Sequence, residues 1–96
     1  MKQMYLEWDD RKLYEVIYNQ SYNYIDDRDY NYKTSYIEDK KEIMDGKKLL
    51  DFILIVLKRE KNCNHICFID DMLYINALTD GGLGSEYKIY IKEIVE

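Results

Sequence analysis

Leu49-Leu50-Asp51-Phe52-Ile53-Leu54-Ile55-Val56-Leu57 is the one long apolar run in the chain, and its reading decides the fold. A run that apolar must leave water, so the polar, charged and tyrosine-rich remainder has to wrap around it. It is far too short to cross a bilayer, which takes about 20 residues. Period alone does not separate a buried helix from a buried strand over such a length, so the flanks arbitrate. Asp45 is placed to cap a helix, its side-chain oxygen accepting from the free N–H groups of the first turn. Lys58, Arg59 and Lys61 fall where positive charge complements the negative end of the helix dipole. Leu49, Phe52, Ile53, Val56 and Leu57 form one stripe, widened by Leu50 and Leu54. So broad a stripe is expected to be covered on most sides, by a sheet or by a partner chain.

Beyond the helix the pattern changes to alternation. His65 to Ile69, a turn at Asp70-Asp71, and Met72 to Leu78 predict a tight hairpin. Thr79 to Ser85 reads as a loop. Glu86 to Val95 then alternates, with Tyr87, Ile89 and Ile91 on one face and Lys88, Tyr90 and Lys92 on the other. A three-stranded antiparallel meander with one face free to cover the helix follows.

The N-terminal half predicts further hairpins. Residues 3–8 and 12–19 alternate on either side of Asp9-Asp10-Arg11 and read as one. Tyr22-Asn23-Tyr24 and Tyr30-Asn31-Tyr32 form a near-palindrome about Asp27, which would pair Tyr24 with Tyr30 and Tyr22 with Tyr32. Ser35-Tyr36-Ile37-Glu38 has the spacing of a capping box and predicts a short helix through Met44, or one continuous helix from Tyr36 to Glu60. The fold class expected is α+β: a single domain over residues 1–96, with antiparallel strands packed on one central hydrophobic helix.

Composition narrows the function. The chain has 19 acidic and 14 basic residues, a net charge of −5. Clustered Lys and Arg are what phosphates and anionic membranes require, so direct nucleic-acid or membrane binding is not expected. No secretory core precedes the acidic residues near Met1, which predicts a cytoplasmic chain with Cys63 and Cys67 as thiols.

Motifs for chemistry are weak. Asp27 to Glu38 resembles the EF-hand calcium loop, with Asp27, Asp29, Asn31, Ser35 and Glu38 at oxygen-ligand positions, but Tyr32 stands where the turn needs glycine. Cys63, His65 and Cys67 would share a strand face about 6.5–7 Å apart, too far for one zinc ion without curling. No nucleophile elbow, zinc-protease helix or Walker sequence occurs. The aspartate pairs Asp9/Asp10, Asp26/Asp27 and Asp70/Asp71 all fall at turns, where Asp serves local hydrogen bonding. Neither an enzyme nor a cofactor is expected.

Eight of the eleven tyrosines lie between Tyr5 and Tyr36, interleaved with carboxylates. Tyrosine offers contact area at low entropic cost, and carboxylates steer a chain towards a basic surface. The expectation is an acidic interaction protein that neutralises a basic, nucleic-acid-acting partner, either a phage-type antagonist of a defence enzyme or an immunity protein to a toxic nuclease. Asp26, Asp27, Asp29, Tyr30, Tyr32, Glu38 and Asp39 are its expected binding residues. The alternatives are a calcium- or ligand-responsive module on residues 27–38 and a homodimer joined through the Leu49–Leu57 face.

Overall fold

The computed structural model describes residues 8–59, 63 and 65–95. Its elements follow in the order β1 (Leu13–Ile25), β2 (Tyr32–Asp45), α1 (Gly46–Arg59), β3 (His65–Ile69), β4 (Met72–Leu78) and β5 (Gly84–Glu93). The strands form one antiparallel sheet in the order β2-β1-β5-β4-β3, and α1 packs against one of its faces. The fold is therefore α+β, with the meander β3-β4-β5 joined to a long β1–β2 hairpin through the β1–β5 pairing.

The helix forms as its flanks dictate. The Lys48 N–H donates to the Asp45 carboxylate at 2.8 Å, so Asp45 is the N-cap, and Lys58 and Arg59 occupy the last turn. Lys61 lies outside the described residues. Leu49, Ile53 and Val56 are buried against Val16, Tyr18, Leu73, Ile75, Tyr87 and Ile89 of the sheet, with Phe52 and Leu57 packed beside them. Each fully buried aliphatic side chain of this kind contributes about 1.5–3 kcal/mol. The covered stripe is narrower than the sequence suggests: Leu54 and Ile55 face solvent, and the protein's own sheet covers the Leu49, Ile53, Val56 side.

Two expectations are corrected. Residues 35–44 are strand, not helix, neither as a short element nor as part of one running to Glu60, because they pair along β1. Cross-strand pairing outweighs a local cap worth about 1 kcal/mol. The hairpin does turn near Asp27, yet its register places Tyr24 opposite Lys33, Ile25 opposite Tyr32 and Tyr22 opposite Ser35, so the tyrosine pairs do not form. An extra residue in β2, Ile37, makes a bulge where Gln20 pairs with Glu38 and Ser21 with Tyr36. Residues 12–19 do contain strand; of their expected partner, residues 3–8, only Trp8 is described and it is not in a strand, the rest lying outside the described residues. Strand β5 starts at Gly84, which shortens the preceding loop to Thr79–Leu83.

Candidate functional site: the β1–β2 arm

β1 and β2 are longer than the helix that covers them. β1 pairs with β5 as far as Asn23, so residues 24–33 project past the rest of the sheet as a two-stranded arm, and the molecule measures 51 × 31 × 22 Å. Residues directly opposite in a ladder share a face, so Tyr22 and Tyr24 lie on the helix side, and Ile25, Tyr32 and Tyr36 on the open side. All five of these side chains are exposed.

The turn at the apex is held tightly. The Asp26 N–H donates to the Asn31 carbonyl at 3.0 Å, and the Tyr30 N–H donates to the Asp26 carbonyl at 2.8 Å. The Asp26 side chain accepts from the Arg28 N–H at 2.9 Å and from Lys33 Nζ at 2.8 Å, and only 10 % of it is exposed. Lys33 also reaches Asp29 at 3.2 Å, and Asp29 accepts from the Asn31 N–H at 3.1 Å. The Lys33 ammonium, then the Arg28 N–H, hold the Asp26 carboxyl below its ordinary range; at Asp29 the Asn31 N–H leads and Lys33 follows. Of the five expected carboxylates three lie at the turn, and two of these, Asp26 and Asp29, are occupied in making it. Asp27 is exposed and enters no ion pair among the described residues.

Tyr30 stands at the tip, 84 % exposed, with φ at +57°. A bulky side chain in the left-handed region costs about 1–2 kcal/mol, which glycine would avoid. Below it the open side of the arm is braced. The Tyr32 hydroxyl donates to the Gly82 carbonyl at 3.0 Å, tying the arm to the β4–β5 loop. Asn23, 4 % exposed, donates to Glu86 at 2.7 Å and accepts from the Thr34 hydroxyl at 2.8 Å. Sequence reasoning missed this network; its members are far apart in the chain and only the sheet register unites them.

The remaining expected residues are not at the tip. Glu38 lies on the helix side of β2, where it accepts from the Tyr18 hydroxyl at 3.4 Å and meets Lys40 at 3.7 Å. Asp39, its neighbour, points to the opposite face. Glu38 is thus a strand length of about 20 Å from the turn that carries Asp27, Asp29 and Asn31. Among the described residues no three His, Cys, Asp or Glu side chains come close enough to hold a metal ion. Cys67 pairs with Tyr74 on the open face, and Cys63 packs beside the core, its thiol directed at the His65 carbonyl. Among the described residues, no helix is long and apolar enough to cross a membrane.

A scan against protein-family models returns no match, and neither does comparison with curated proteins or with solved structures.

Proposed function

We propose that this chain is a non-catalytic interaction protein whose β1–β2 arm inserts into a groove of a basic, nucleic-acid-acting protein and inhibits or neutralises it. One observation carries the reading: an aromatic side chain is held at the apex in a backbone conformation that disfavours it, with most of its surface in water. Strain of that kind persists where the surrounding structure enforces it, and it clusters at binding and catalytic positions. The exposed Tyr22, Tyr24 and Tyr36 flank the arm and offer aromatic contact to either wall of a groove. The net charge of −5 supplies steering towards a basic surface, with Asp27 the carboxylate at the tip that is free to act.

The test uses opposite signs. Tyr30→Gly relieves the strain, so the thermal midpoint should hold or rise by the equivalent of up to about 1 kcal/mol. The same variant should lose affinity by about tenfold or more, the cost of a central aromatic anchor. Proteins captured by the wild-type chain at low salt are compared with those captured by Tyr30→Gly and Asp27→Asn. Capture of a basic nucleic-acid enzyme that weakens in both variants and elutes with salt supports the reading. Equal capture by all three chains would falsify it.

A further inference from the structure

The face of the sheet turned away from α1 carries an apolar row in register across four strands. Ile17 of β1 is opposite Tyr90 of β5, Tyr90 is opposite Met72 of β4, and Met72 is opposite Ile69 of β3. Ile43 and Leu13 extend the patch towards the β2 edge. Antiparallel sheets can leave one face to water, but such a face normally presents polar side chains. Here Ile17, Tyr90, Ile69, Ile43 and Leu13 expose 37, 48, 51, 59 and 49 % of themselves. Together they offer on the order of 500 Å² of apolar surface, the size at which a patch on a monomer marks an interface.

We infer that this open face is covered by a second copy of the chain, sheet against sheet, giving a four-layer helix–sheet–sheet–helix dimer. The shape is self-complementary. Tyr90 stands as a knob between two adjoining grooves of about 350 and 220 Å³, one floored by Met72 and Ile69, the other by Ile17 with Glu15 and Lys92 beside it. A two-fold axis that seats each Tyr90 in a groove of its twin satisfies both copies at once, as an isologous interface must. Both charge signs are interspersed on this face: Glu15, Asp39, Asp45 and Glu86 share its strands with Lys41, Lys88 and Lys92, and Asp70 and Asp71 lie at the β3–β4 turn beside the grooves. Area permits the dimer. Two such patches remove about 1,000 Å² of apolar surface, and the charged rim brings the total into the range of specific interfaces, about 1,200 Å² and above. The helix face once expected to join two copies is already covered by the protein's own sheet.

Sedimentation equilibrium of the full chain from about 1 μM to about 500 μM tests the dimer. The expected mass rises from 11.7 kDa towards twice that value. Ile17→Lys with Tyr90→Lys should return the chain to monomer at every concentration with its circular dichroism unchanged, while Leu54→Lys on the solvent side of α1 leaves the dimer intact. A wild-type mass that stays at 11.7 kDa overturns the inference and leaves the face to a different protein. A dimer that survives the double substitution, or that Leu54→Lys dissociates, overturns it as well. Should the double variant not fold, Ile69→Ser at the sheet edge repeats the test: dimerisation weakened about tenfold supports the face, and unaltered dimerisation overturns it.

Discussion

Asp26 illustrates how a residue chosen for one role serves another. Its position among carboxylates suggests a partner contact, yet its side chain is directed inward to Lys33 and to the Arg28 N–H. Asp26→Asn should therefore lower the thermal midpoint, where Asp27→Asn should leave it unchanged. The pH dependence follows from the sign of the shift. The folded-state pKa of Asp26 lies below the ordinary 3.8, so its contribution is complete above that value and is lost as pH falls through the folded pKa. Thermal melts of the wild type between about pH 5 and pH 2 should show a decline that is shallower in Asp26→Asn. At Gly84 the constraint is steric and conformational: φ is +129°, and a Cβ there would meet the Ala77 carbonyl. Gly84→Ala should cost at least about 1–3 kcal/mol in chemical denaturation, the scale of strain at such a position. The run Gly81-Gly82-Leu83-Gly84 reads as a loop in sequence, whereas the structure makes Gly84 the first residue of a strand.

At the scale of elements, what could be read from sequence was whatever contained its own hydrophobic period. The central helix and its Asp45 cap, the β3–β4 turn and the alternation of β5 are all visible because burial on one side writes a pattern into the chain. β2 has no such pattern. Only Met44 among its side chains is buried, so the apolar residues that would announce a strand are not needed, and the capping-box spacing of Ser35 to Glu38 filled the gap. Its strand state comes from pairing with β1, which is non-local. The helix should respond as a one-sided element: Ile53→Ala, fully buried, should cost about 2–5 kcal/mol, and Leu54→Ala, facing solvent, within about 0.5 kcal/mol, both measured by urea titration. The Ile37 bulge resets the register of the arm. Deleting Ile37 removes the extra residue and leaves Tyr36 opposite Ser21, Thr34 opposite Asn23 and Tyr32 opposite Ile25, so the Tyr32–Gly82 and Thr34–Asn23 hydrogen bonds should survive. Stability within about 0.5 kcal/mol of the wild type in urea titration, with hydrogen exchange in β2 no earlier, is the expected result.

For the molecule as a whole, the radius of gyration is 15.0 Å, against about 12–13 Å for a compact domain of 96 residues. The β1–β2 hairpin lengthens the molecule, and no compositional feature announces it: how far the hairpin projects depends on where β5 stops pairing with β1, at Asn23, which is a property of packing. The candidate site was half legible for the same reason. The tyrosines are conspicuous in sequence, but the pairing of Asp26 with Lys33 and the separation of Glu38 and Asp39 onto opposite faces exist only in the folded register.

Among the described residues, β2 is also an edge strand of the sheet along its whole length. Such an edge is a template on which further strands can add without limit. Glu38-Asp39-Lys40-Lys41-Glu42 sits midway along it, and any strand added there must bring its own groups against that charged block. Charged side chains at such an edge disfavour the addition of a further strand. Replacing those five residues with alternating Thr and Ser should leave the core intact yet yield thioflavin-positive fibrils from a protein that otherwise stays clear.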